Sequence, residues 1–239
     1  MSARWSSEAE AVMGEKITFP SNGTEGSGYL AMPAGGEGPG VLVIQEWWGL
    51  VDHICDVCDR FANEGFVALA PDLYRGMVAR EPDEATKLMM GLALERAGKD
   101  LSGALDELAR RSGRERVGVV GFCMGGGLAL VVATQRPDRV GAVVPFYGVI
   151  PWSDLQPDYA KLAAPVLGHY AELDHSAPPE QVRALEARLR ELGKSARLEI
   201  HPGCDHAFFN DTRPEVYNAA EAASAWSETL EFLRQNLGA

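Results

Sequence analysis

Cysteine and histidine are scarce in this sequence, with four and five copies among 239 residues. Four thiols are too few for a disulfide scaffold in a chain of this length, and a reducing compartment would keep them free. Basic residues are outnumbered, 22 against 34 acidic, which leaves a formal net charge of -12 and a pI near 4.9. Such an excess repels a phosphate backbone, so no nucleic-acid partner is expected. No stretch approaches about eighteen uninterrupted apolar residues, and the first eight residues lack the apolar core of a signal peptide. Neither a membrane partner nor an internal repeat is expected, and the chain reads as a cytoplasmic protein.

What is present is a composition that is 46% hydrophobic and 8% aromatic, enough for one α/β domain over residues 1–239. Continuous β-branched apolar runs at 40–45, 66–72, 117–120, 140–146 and 165–170 have the character of strands buried on both faces. Helical spacing marks 51–63, 82–111 with a break near Gly91 or Gly98, 127–134, 179–192 and 214–237. Residues 16–19 and 28–32 predict an edge hairpin around the turn-rich segment 21–27, and 196–201 predicts a last strand. Strands alternating with helices imply a mostly parallel sheet covered on both faces, with ligands at the carboxyl ends of its strands.

One turn organises the rest. Gly121-Phe122-Cys123-Met124-Gly125-Gly126 follows an apolar strand and opens an apolar helix. It has the form of the Gly-x-Ser-x-Gly nucleophile elbow with Cys123 in place of serine. Small neighbours are needed where a strained apex sits between strand and helix, and the first helical N–H groups face charge that develops on a substrate. Two later strand ends carry polar groups: Ala171-Glu172-Leu173-Asp174, and Pro202-Gly203-Cys204-Asp205-His206-Ala207-Phe208. The chain order nucleophile, acid, histidine suggests a triad of Cys123, Asp174 and His206, with Glu172 and Asp205 as competing acids.

Further motifs weigh less. Cys55-Asp56-Val57-Cys58 matches C-x-x-C but falls on a helical pattern, where that spacing merely shares a face; a thiol redox role is kept as an alternative. His201, Cys204 and His206 lack a fourth ligand for zinc, so no metal and no cofactor are expected. Trp47, Trp48, Tyr147 and Phe208 are candidates to line an apolar pocket, and Arg75 to hold a substrate carboxylate.

Gln45-Glu46-Trp47-Trp48-Gly49, Pro71-Asp72-Leu73-Tyr74, the cysteine elbow and Gly203-Cys204-Asp205-His206-Ala207-Phe208 together resemble the dienelactone hydrolase family of α/β-hydrolases over nearly the whole chain. The resemblance implies an α/β-hydrolase fold and a small-molecule ester or lactone as substrate. It implies attack by Cys123, proton transfer by His206 oriented by Asp174, and hydrolysis of a thioester. Backbone N–H groups of Trp47 and Met124 would form the oxyanion hole. Glu46, an acid at the end of a buried strand, would contact Cys123 and help switch it between thiol and thiolate. Aryl or phosphoryl esters stay open as alternative substrates. The chain departs from the family at Asn210, where dienelactone-cleaving members carry an arginine that helps bind the substrate carboxylate. A weaker preference for anionic substrates is therefore expected.

Overall fold

In the computed structural model, which describes residues 13–21 and 23–238, eight strands form one sheet. Strands β1 (Glu15–Ser21) and β2 (Thr24–Ala31) make an antiparallel hairpin at one edge, and β2 also runs antiparallel to β4 (Val67–Pro71). All other pairings are parallel: β3 (Gly40–Ile44) lies between β4 and β5 (Val117–Phe122), followed by β6 (Val140–Phe146), β7 (Val166–Ala171) and β8 (Ala196–His201). The spatial order is β1-β2-β4-β3-β5-β6-β7-β8.

The central strands are apolar at every position because helices cover both of their faces. Leu42 and Ile44 of β3 pack into one layer with α3 (Leu94–Ser112), α4 (Met124–Gln135) and α5 (Pro179–Glu191). Val41 and Val43 alternate into the other layer, with α1 (Asp52–Asn63) and α6 (Ala219–Leu237). The remaining helix, α2 (Pro82–Met90), precedes α3.

Two boundaries differ from those the sequence predicts, and of the two breaks it offered in the long helical region one is found. The hairpin strands extend through most of the glycine-rich segment, since Gly26 lies under the Phe19 ring and a Cβ there would come within 2.6 Å of it. The long helical region breaks at 91–93, after Met90, whereas Gly98 sits inside α3. The last helix begins at Ala219 rather than near Pro214, because residues 211–218 form turns and Asn218 caps the helix by accepting from the N–H of Glu221.

Candidate active site

The carboxyl edge of the sheet gathers the polar groups. Cys123 follows β5 directly and stands at φ 56°, ψ -121°, a conformation that L-residues rarely adopt. Two constraints hold it there: its N–H donates to the Phe146 carbonyl at 3.0 Å, and its carbonyl accepts from Gly126, Gly127 and Val149. The elbow requires glycine on both sides. A Cβ at Gly121 would lie 2.0 Å from the Gly125 carbonyl oxygen, and one at Gly125 would lie 2.3 Å from that of Ile44. Here the helix can approach the sheet only because those side chains are absent.

His206 comes from the loop after β8, and its Nδ1 lies 2.7 Å from Oδ2 of Asp174, in the loop after β7. The other oxygen of Asp174 accepts from the N–H groups of Ser176 and Ala177 at 2.7 and 3.0 Å, which fixes the carboxylate in a buried position. Burial disfavours the charged carboxylate, but His206 and these two N–H groups outweigh it and hold Asp174 below the usual carboxylate range. Burial likewise opposes charge on His206, yet its interactions with Asp174 and Cys123 push it up to about 10. The competing acids are engaged elsewhere: Glu172 accepts from the Gly203 N–H and Asp205 from the backbone N–H of His206.

Glu46 follows β3 and is almost fully buried. Asn210 Nδ2 donates to its Oε2 at 3.0 Å, and the Tyr147 hydroxyl approaches its Oε1 at 3.5 Å. No hydrogen bond joins Glu46 to Cys123 among the described residues. Oδ1 of Asn210 accepts from both the N–H and the hydroxyl of Thr212, at 3.1 and 2.6 Å, so its amide group must face Glu46. Asn210 is therefore not a vacated contact in the substrate pocket, as the sequence reading had it, but a buried partner of Glu46. The cation that does line the pocket is Arg213, whose guanidinium lies over the Trp48 ring with its Nε donating to Glu215.

That pocket is a cavity of about 530 Å³ with Cys123, His206 and Trp47 in its wall. Much of the remaining wall comes from α5, from loop 148–151 and from a short 3-10 turn, Tyr159–Lys161, with Leu130 of α4 and Tyr170 of β7. Of the side chains that the sequence proposed for the pocket, Trp47 is in this wall, whereas Trp48, Tyr147, Phe208 and Arg75 are not. Arg75 is turned away, paired with Asp100 through two 3.0 Å contacts and donating to the Glu25 carbonyl. Phe208 is core, packed on Tyr147 and His201. Tyr147 supports the His206 ring from beneath, with centroids 5.0 Å apart, and Trp48 stacks edge-on against Trp47. The wall residues were missed because they lie on elements far apart in sequence, although Met89, Leu130, Val182 and Leu185 sit on helical patterns that could have been flagged.

Neither the Trp47 nor the Met124 N–H has an acceptor among the described residues, and Met124 is the first residue of α4. The C-x-x-C pair lies on α1, where burial pushes Cys55 up to about 11 and holds Cys58 well above the ordinary thiol range. His201 bonds Glu221 and His169 rather than standing beside Cys204 and His206 as a ligand set.

Residues 27–237 match the family model of the dienelactone hydrolase family. Protein usf of Aquifex pyrophilus is 38% identical over 94% of this chain and its own entire length. A protein of Aquifex aeolicus named "Putative carboxymethylenebutenolidase" is 34% identical with the same coverage. The crystal structure of the dienelactone hydrolase-like promiscuous phosphotriesterase P91, from metagenomic libraries, superposes with a TM-score of 0.83 over 96% of this chain and all of that one, at 23% identity, a likeness of fold. An eight-stranded α/β-hydrolase sheet and a family match covering most of its length place this chain in the dienelactone hydrolase family, hydrolases that act on ester bonds.

Proposed function

We propose that the protein hydrolyses carboxylic esters or lactones through a thioester on Cys123. The observation that carries this reading is the shared cavity: the strained apex cysteine and a histidine held 2.7 Å from a buried aspartate open onto the same space. In the reactive pair the thiol proton passes to His206, giving thiolate beside imidazolium. The thiolate attacks the ester carbonyl, and the resulting oxyanion is received by the N–H groups of Trp47 and Met124. Collapse expels the alkoxide, which takes the proton from His206 and leaves as alcohol. Neutral His206 then removes a proton from water, the hydroxide attacks the thioester, and the thiolate departs as the carboxylic product forms. Asp174 keeps the imidazole in the required tautomer throughout.

Glu46 has a place in this scheme as the buried carboxylate behind the elbow, where its charge opposes thiolate formation while Asn210 and Tyr147 hold it. A dithiol redox role has less support, because thiols whose pKa is raised by burial are the opposite of activated ones. The test is Cys123→Ala, assayed with p-nitrophenyl esters and lactones. Loss of hydrolysis with an unchanged circular dichroism spectrum is expected, together with a thioester adduct trapped by mass spectrometry in wild type. Retained turnover in the folded variant would overturn the assignment.

A further inference from the structure

The described residues include three buried side chains with polar atoms that find no hydrogen-bond partner: Gln45, His53 and Tyr170. Only Tyr170 belongs to the wall of the cavity that holds Cys123 and His206. Its position is built rather than incidental. Gly168, two residues earlier and on the same face of β7, carries no side chain, and a Cβ there would come within 2.7 Å of the Tyr170 ring. Burial of an unpaired hydroxyl is unfavourable, and phenylalanine would fill the same space without that cost. The hydroxyl therefore calls for a partner that arrives with the substrate.

The register of the sheet sets its distance from the reacting atoms. Phe122 pairs with Phe146, and Phe146 with His169, so Cys123 and Tyr170 stand at one level, two strands apart. At about 4.8 Å per strand their backbones are ~10 Å from each other. A substrate arm of several carbons bridges that span, and the cavity wall offers it apolar side chains, Leu130, Val149 and Val182 among them.

We propose that Tyr170 is a specificity-determining residue whose hydroxyl donates to an uncharged acceptor, such as a ketone or ether oxygen, on an otherwise apolar arm of the substrate. This rests on the ester-hydrolase reading but not on which residue is the nucleophile. Burial keeps the phenol neutral across the working range, so it remains a donor.

The test compares p-nitrophenyl hexanoate with oxo analogues bearing the ketone at successive chain positions. A second series places the same groups on the alcohol side of acetate esters. Wild type is expected to favour the oxo ester at one position, and Tyr170→Phe to lower that preference about tenfold, read as the ratio of kcat/KM for the oxo ester to that for its alkyl match in each protein. The thermal midpoint of Tyr170→Phe should not fall, since only an unpartnered hydroxyl is removed. A preference that changes less than about twofold at every position in both series would overturn the proposal. If the variant does not fold, wild type alone still decides: no preference for any oxo ester over its alkyl match has the same meaning. Cys123→Ala, run in parallel, separates failure of the nucleophile assignment from failure of this one.

Discussion

At the scale of single residues, His206 is where burial and charged partners oppose each other and the partners prevail. Its raised pKa, about 10 when folded against about 6.5 for a free imidazole, means that its protonated form stabilises the fold. That contribution is complete below about 6.5 and is lost as pH rises through about 10. Asp174, depressed below the usual range, contributes above about 3.9 and loses its contribution as pH falls through its folded value. Histidine NMR should show His206 protonated through neutral pH, with its midpoint moved down in both Cys123→Ala and Asp174→Asn. A midpoint that stays put in both variants would break the link between cysteine, histidine and acid. Asn210 and Arg213 give a second prediction. Arg213→Gln should lower kcat/KM for carboxylate-bearing esters relative to neutral ones by about tenfold, the worth of a charge-assisted contact. Asn210→Arg, by contrast, should leave that ratio unimproved and lower the thermal midpoint, because it forces a larger side chain into the buried contact with Glu46. Steady-state kinetics on paired anionic and neutral esters read both. Sequence reasoning had assigned the anion question to Asn210 and Arg75, since spacing from a motif residue says nothing about which way a side chain turns. That Cys123, Asp174 and His206 meet was legible for the opposite reason: each lies in the turn or loop that follows a strand, and strand ends of a parallel sheet share one edge.

Elements were legible in proportion to how fully they are buried. The runs that became β3, β5 and β6 are apolar throughout, and no other structure accommodates so many β-branched residues in so few positions. The edge hairpin was read short because glycines there make room for Phe19 and Tyr29, which a one-dimensional pattern cannot display. The start of α6 was read early because Pro214 resembles a first helical residue, whereas the actual cap is Asn218. That cap can be tested by itself. Asn218→Ala removes the acceptor for the Glu221 N–H and should cost about 1 kcal/mol, a fall of roughly 2–4 °C in Tm, with activity at moderate temperature unchanged. A Tm equal to wild type in differential scanning calorimetry would show that α6 is held by packing alone. The cavity wall was the least legible feature, because α5, loop 148–151 and the 3-10 turn meet only once β6, β7 and β8 lie side by side.

For the whole molecule, the two core layers share the same strands, with neighbouring residues of β3 and β5 pointing into opposite layers. Neither layer can dissolve while the other keeps its sheet, so the described residues should unfold as one cooperative unit. Agreement between calorimetric and van't Hoff enthalpies would bear this out, and two resolved transitions would refute it. Against that collective stability stands the apex at Cys123, whose backbone conformation costs on the order of 1–3 kcal/mol. Alanine inherits the same penalty, whereas glycine does not. On the proposed chemistry the native residue trades durability for reactivity, and a Cys123→Gly protein should be inert yet outlast wild type on heating.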